Sequence, residues 1–357
     1  MKSFYTYFLI IFCCITGNTV NAQKASGRAY EFLNLPSSAR ISAWGGYAPA
    51  LNDKDLSVAL YNPAFLTNDV STRLMFSFLN FYSDIAMGNV GYAQSFEGFG
   101  TASIGVHYLN YGQFTETNNL GDVIGEFDAS EYAVQLGYSR MLHPQVLIGS
   151  NIKFISSQLY DYRSMALAAD LAVAYYHPDG NFYVSLLARN MGRQVKKYRE
   201  GDSESLPFDL QLSFSKKLAN APLRLYAVAH DLQRFDLTYD YSDPTTNTFG
   251  DMQTSTSSKA EEFADKLLRH FVMGIELVPG KNFFATIGYN YRRRQELKIN
   301  GRSGLVGLSF GVGIKISKFS ISYGHSTYHL DGAPNHITIS TRISDFLPAP
   351  KEAPIIP

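Results

Sequence analysis

From Arg73 onward the chain alternates apolar and polar side chains in about fourteen short stretches, each near the roughly ten residues that a tilted strand needs to cross a bilayer. In residues 208–217, Phe208, Leu210, Leu212 and Phe214 share one face, while Asp209, Gln211, Ser213, Ser215 and Lys217 share the other. Residues 101–108 repeat the pattern, with Ala102, Ile104, Val106 and Tyr108 opposite Thr101, Ser103, Gly105 and His107. Residues 336–344 do so again, with Ile337, Ile339 and Ile343 opposite His336, Thr338, Ser340, Arg342 and Ser344. A period of two predicts strands with one greasy and one wet face, but a soluble sandwich alternates in the same way.

The connections between the stretches separate these two cases. Even-numbered connections are short and built from turn-forming residues: 97–100, 143–145, 177–180, 218–221, 279–281 and 317–318. Most odd-numbered connections are longer and more polar, notably 115–128, 191–206, 235–265 and 292–302, with the first hairpin around Ser83 and Asp84 as a short exception. Short turns on one rim and long loops on the other are the arrangement of bacterial outer-membrane barrels, the short side facing the periplasm. The fold expected is therefore an all-β, transmembrane antiparallel barrel of about 14 strands spanning residues 73–346.

The start of the chain supports that location. Lys2, an apolar run over residues 4–15, and Val20-Asn21-Ala22 have the charged, greasy and small-residue regions of a secretory signal over residues 1–22, placing the mature start at Gln23. A lipoprotein signal at Cys13 or Cys14 would want small residues where Ile11 and Phe12 stand. Both cysteines fall within the signal, so the mature chain offers no disulfide, thiolate nucleophile or cysteine zinc site. No later stretch has the eighteen or so consecutive apolar residues of a membrane-spanning helix, so any span is made of strands. The 25 Phe and 24 Tyr suit interface girdles, and the 28 Gly suit tight barrel curvature. Formal charge is zero with no long basic block, which gives nucleic-acid binding no electrostatic support.

Two segments do not fit the wall. Residues 23–72 lack a clean strand run and carry Trp44-Gly45-Gly46, Pro49 and Asn62-Pro63-Ala64, yet Ile41, Trp44, Leu51, Leu56, Val58, Leu60, Phe65 and Leu66 make them too apolar for a disordered periplasmic linker. The expectation is a plug folded inside the barrel. Residues 347–357 hold four prolines and cannot extend a sheet, which predicts a short periplasmic tail.

Candidate chemistry changes the picture little. His107, His230, His270, His325, His329 and His336 are available to a catalytic triad, but no Gly-x-Ser-x-Gly elbow surrounds any serine, and no enzyme activity or cofactor is expected. His325 and His329 would lie about 13 Å apart on one strand face, too far to share a metal. Lys153 and Asp170 fall on the wet faces of neighbouring strands, as a lumen ion pair or as part of a ligand site; charge facing lipid would cost several kcal/mol. Arg292, Arg293 and Arg294, with Lys298 and Arg302, sit in an expected outer loop: solvated, in contact with anionic lipopolysaccharide, or part of a protein-binding surface. The long loop 235–265 spaces Tyr239, Tyr241, Phe249 and Phe263 through polar residues, and aromatic side chains are favoured interface anchors.

Ala29-Tyr30-Glu31-Phe32-Leu33 with Ala39-Arg40, Trp44-Gly45-Gly46-Tyr47-Ala48 and Asn62-Pro63-Ala64 resemble the amino-terminal segment of the FadL-like PorV/PorQ family of the Bacteroidetes type IX secretion system. Tyr92-Ala93 and the run from Asp161 through Tyr162, Arg163, Ser164 and Met165 to Asp170 look similar to later family stretches. PorV-like members tend to follow Asn-Pro-Ala with Gly, where this chain has Phe65. The resemblance implies a fourteen-stranded barrel plugged by its amino terminus. It also implies partners: a PorZ-like surface protein, a PorU-like sortase and a PorV-like barrel, in the complex that processes secreted cargo and attaches it to the cell surface. The rival reading is a FadL-like outer-membrane transporter of small hydrophobic compounds, which needs an apolar pocket and a side opening, for example at a kink in residues 307–313.

Overall fold

The computed structural model describes residues 28–81, 84–201, 203–238, 258–297, 304–327 and 334–347. The expected signal residues, most of the expected tail, and Tyr239, Tyr241, Phe249, Lys298, Arg302 and His329 lie outside them.

Alternation is realised as fourteen strands: β1 (Arg73–Asn80), β2 (Ala86–Phe96), β3 (Gly100–Thr117), β4 (Val123–His143), β5 (Val146–Leu159), β6 (Tyr162–Tyr176), β7 (Phe182–Lys196), β8 (Asp209–Lys217), β9 (Leu223–Ala229), β10 (Phe271–Leu277), β11 (Phe283–Asn290), β12 (Leu308–Ile316), β13 (Phe319–Ser326) and β14 (Asn335–Arg342). Every neighbouring pair is antiparallel, and β1 closes on β14 from Arg73 opposite Arg342 to Asn80 opposite Asn335, so the sheet is a closed barrel. Closure removes both sheet edges, the condition for placing a sheet in lipid.

The two faces sort as the period-two pattern demands. On β5 Ile152 is 63% exposed while its neighbours Asn151 and Lys153 are 0% and 4% exposed, so apolar residues face out and polar ones in. Phe78, Ile104, Leu136, Leu171, Phe214, Ile275, Ile287, Val312 and Ile339 continue the outward belt around the ring. An apolar exterior over a polar interior is the surface of a lipid-embedded barrel.

Short connections gather on one rim, as their parity requires: β2 to β3, β4 to β5, β6 to β7, β8 to β9, β10 to β11 and β12 to β13. The opposite rim differs from the sequence reading. Residues 115–128 are not a loop, because β3 runs on to Thr117 and β4 starts at Val123, with Gln113 opposite Asp128. These residues alternate without a greasy face, which hides a strand in the sequence; above the belt both faces of a ribbon can meet water. The connection 191–206 is likewise shortened by β7, which extends to Lys196.

The amino-terminal segment is hydrogen-bonded to inward side chains of strands round the ring. Its α-helices, α1 (Ala39–Ala43) and α2 (Leu56–Tyr61), start on side-chain caps: Ser38 Oγ accepts from Ile41 N at 3.2 Å, and Asp55 Oδ1 from Ser57 N at 2.9 Å. Tyr30 shares a hydrogen bond with Ser164 Oγ near the start of β6, and Thr72 N donates to Ala93 O at the other end of β2. The segment therefore runs from the long-loop rim down to the short-turn rim, where β1 begins. Several inward glycines make room for it rather than easing curvature: a Cβ on Gly149 would lie 2.2 Å from Pro63 O, and one on Gly324 2.0 Å from Ala39 O.

Candidate functional site

The residues that hold the segment explain its motifs. Asn62 Oδ1 accepts from Ala64 N at 3.2 Å, with Pro63 in the first position of the short helical turn, while Asn62 Nδ2 donates to Ser185 Oγ of β7 at 2.9 Å. Asn62-Pro63-Ala64 is thus a cap that is also a wall tie. Trp44 is fully buried, its ring edge-on to Tyr226 at 6.2 Å. Further ties reach round the barrel: Ala39 N to Thr338 Oγ1 (2.9 Å), Gln135 Nε2 to Leu60 O (2.7 Å), and Asn290 Nδ2 to Gly45 O (3.1 Å).

Two ionic clusters sit inside. In the first, Lys153 Nζ lies 2.7 Å from Asp170 Oδ2 and donates to Asn190 Oδ1 at 2.8 Å, while Asn190 N donates to Asp170 Oδ1 at 2.8 Å. The β6–β7 register shifts here, Ala169 facing Met191 and Leu171 facing Ala188, so Arg189 and Asn190 together oppose Asp170. Asn190 takes a left-handed φ of 56°, a conformation Asn tolerates better than most residues. The lysine–aspartate pair is the clamp on a β-bulge. Above it β7 leaves β8: their pairing stops at Arg189 opposite Asp209, and residues 191–196 pair with β6 alone. Residues 203–208 and the start of the amino-terminal segment close over this break, with Asn190 Nδ2 donating to Pro207 O and Ala29 N to Ser205 O. Residues 307–313, in contrast, give no kink: β12 pairs in unbroken register with both β11 and β13.

The second cluster was not singled out from the sequence. Arg40 of α1 meets Asp53 (2.5 Å), Asp55 (3.1 Å) and Glu276 of β10 (2.9 Å), its guanidinium lying 4.6 Å over Trp44 and 4.4 Å over Phe284. Arg224 of β9 bonds Glu276 and stands 3.6 Å from Asp53. Its only sequence signal is a lone arginine in a short helix of otherwise uncharged residues. The cluster borders a cavity of about 450 Å³ toward the short-turn rim.

At the long-loop rim, Arg292, Arg293 and Arg294 are not on a solvated loop. They lie on α4 (Tyr291–Leu297), which follows α3 (Lys259–Leu268) in the same rim, and each turns to an internal partner. Arg292 Nη1 lies 2.9 Å from Asp231 Oδ2, Arg293 Nη2 donates to Gly45 O at 3.1 Å, and Arg294 Nη1 donates to Gly304 O at 2.5 Å. Burial opposes the Asp231 charge, yet its hydrogen bond with His230 and the nearby Arg292 and Arg234 hold this carboxyl well below the usual range. Of the histidines, His336 Nε2 lies 2.7 Å from Ser77 Oγ, but its buried Nδ1 meets no orienting group, which a triad requires.

No family model matches the chain, and no curated protein matches it. Among solved structures it is similar to the Pseudomonas putida toluene transporter TodX, at 9% identity and a TM-score of 0.47 over 86% of this chain and 96% of that one. It is also similar to a Pseudomonas aeruginosa FadL homologue, at 8% identity and a TM-score of 0.47 over 86% and 98%. The KdgM porin follows at 6% identity and a TM-score of 0.32 over 75% and 98%. At such values these are likenesses only. The strand count and closure stand on this chain's own hydrogen bonds.

Proposed function

We propose that the protein is a non-enzymatic barrel of the bacterial outer membrane that anchors a surface partner in a type IX secretion attachment complex, in the manner of PorQ-like members of the family its sequence resembles. The carrying observation is the occupied lumen: a capped, apolar segment is hydrogen-bonded to strands all round the ring, including β4, β7, β11 and β14, as suits a rigid support. Short turns then face the periplasm and the rim that carries α3 and α4 faces outward. The partners proposed are a PorZ-like surface protein, a PorU-like sortase and a PorV-like barrel, with Tyr239, Tyr241 and Phe249 as contacts and lipopolysaccharide as a neighbour of the rim.

Replacing residues 239–257 by a short linker tests this. The barrel should remain inserted and heat-modifiable, while a PorZ-like partner is released to the medium and cargo attachment falls. Full retention of partner and cargo, in this variant and in a strain lacking the whole gene, would overturn the reading.

One observation favours the transporter reading as a second. The bulge at Asn190 and the parting of β7 from β8 above it form a break in the wall, covered by residues 203–208, and displacement of that cover would give a small hydrophobic compound a sideways path into lipid. Uptake of such a compound that depends on the gene, with partner retention unchanged, would move the assignment there.

A further inference from the structure

We propose that an open cup at the long-loop rim, between β3, β4, β6 and the connection from β7 to β8, binds an alkylammonium group. The cup encloses about 470 Å³ and is lined in part by Tyr30, Tyr111, Tyr162, Tyr198, Glu131 and Glu204. It is remote from the 239–257 connection in sequence and does not depend on the partner reading.

The argument starts from a carboxylate without a counter-ion. Glu131 is 3% exposed and is hydrogen-bonded by Tyr111 OH, which donates to its Oε2 at 2.6 Å, and by Ser157, yet among the described residues no lysine or arginine pairs with it. Glutamate is almost never so buried unless paired, because stripping its hydration costs several kcal/mol. The two cations of the cup are engaged by other lining residues, not by Glu131. Arg28 lies 3.8 Å from Glu31, and Arg199 donates to Tyr162 OH at 2.8 Å with its guanidinium 4.8 Å over that ring. Glu204, which also lines the cup, is likewise outside any ion pair among the described residues.

The walls supply what a cation wants. Tyr111 and Tyr198 are the half-buried rings at the cup, and Tyr198 is backed by the buried Tyr30, the two rings 6.4 Å apart and tilted by 30°. Both rings are held in place, Tyr30 OH by Ser164 Oγ and Tyr198 OH by Ser157 Oγ at 2.6 Å. Aromatic faces carry negative quadrupole density and attract ammonium groups, and tyrosines around a carboxylate are the recurring cage for alkylated nitrogen. An anion would meet Glu131 and Glu204, and a neutral apolar ligand would leave Glu131 buried and uncompensated.

The source of the ammonium is a free small molecule or a lysine of a surface protein, and the chemistry recognised is the same. Choline and its uncharged carbon analogue 3,3-dimethylbutan-1-ol, titrated by calorimetry into the full-length barrel in detergent, isolate the charge. Choline should bind and the alcohol should not, and Glu131→Gln, which keeps the shape and a partner for Tyr111, should weaken choline by about tenfold or more. Should Glu131→Gln fail to fold, Glu204→Gln is expected to give a smaller loss in the same direction. A lysine-bearing peptide that displaces choline at lower concentration than choline itself identifies a protein source, and the reverse order a small molecule. Equal binding of choline and the alcohol, no binding of any ammonium compound, or unchanged choline affinity in folded Glu131→Gln would overturn the proposal.

Discussion

The wall from β3 to β7 is made of strands of 14 to 21 residues, and the wall from β8 to β14 of strands of 7 to 9. Roughly 9–11 tilted residues cross the apolar layer, a length the short wall's strands at most just reach, so only the long wall has a surplus. The surplus stands above the belt as paired ribbon. The short wall reaches the same rim through α3 and α4, and it sends Arg293 and Asn290 inward to the carbonyl of Gly45. The interior charges divide in the same way. Lys153, Asp170 and Asn190 close a cluster within the long wall itself, whereas Glu276 of the short wall shares Arg40 with Asp53 and Asp55 of the amino-terminal segment. Both walls hydrogen-bond the segment, but the charge cluster of one is complete without it and that of the other is not.

The largest expected effect breaks the charge comparison. Asp170→Ala leaves Lys153 buried with only the Asn190 carbonyl, which should cost about 3–5 kcal/mol. Glu276→Ala leaves Arg40 its two aspartates, so a loss of about 2 kcal/mol is expected. Denaturant unfolding in detergent, read as loss of heat-modifiable mobility, measures both. Equal losses would mean that the two clusters are equivalent and the division is false. Replacing Lys153 and Asp170 together by Met and Leu should recover most of the Asp170→Ala loss, because no lone charge remains.

A smaller effect sharpens how each wall holds the segment. Asn62→Ala removes both a helical cap and the bond to Ser185 of β7, an expected loss of about 1–2 kcal/mol. Ser326→Ala removes only hydroxyl contacts to Ser42 on the short wall and should cost about 0.5–1 kcal/mol. The same unfolding measurement ranks them. A larger loss for Ser326→Ala would make the short wall the main anchor.

What was legible in the sequence follows the same division. Strands that cross lipid show themselves, because one face must be apolar: the count of fourteen and the start at Arg73 could be read from Phe76, Phe78, Ile337, Ile339 and their kind. Strand residues above the lipid carry no such mark. Thr115, Glu116, Thr117, Glu126 and Asp128 lie in a paired ladder, with a register shift between Glu116 and Thr117, yet read as a loop because water meets both faces. Lys153 and Asp170 could be placed on one inward side from alternation alone. That Asn190 completes their cluster, that Arg40 meets Glu276 across 236 positions, and that Tyr111 serves Glu131 depend on register and on which side chains converge inside, which local pattern does not contain.

The smallest expected effect tests whether the surplus of the long wall is truly separate from the barrel. Phe114 and Phe127 stack across the ribbon at 5.2 Å, and Tyr160 from the β5–β6 turn meets Phe127 edge-on at 4.9 Å while its hydroxyl donates to Glu116 Oε1 at 2.7 Å. Beyond Asn110 the ribbon has no pairing with β2, and beyond Ala129 none with β5, so these rings and its own ladder are what hold it upright. Two-stranded ribbons are marginal in water, and an aromatic pair contributes about 0.5–1.5 kcal/mol beyond the area it buries. Phe127→Ala should therefore speed amide exchange of residues 113–117 by up to about tenfold, the factor that about 1.4 kcal/mol implies, with global unfolding unchanged because no belt or lumen contact is lost. If the global transition fell along with the local protection, ribbon and wall would open as one unit, and the long wall would be no more self-contained than the short one.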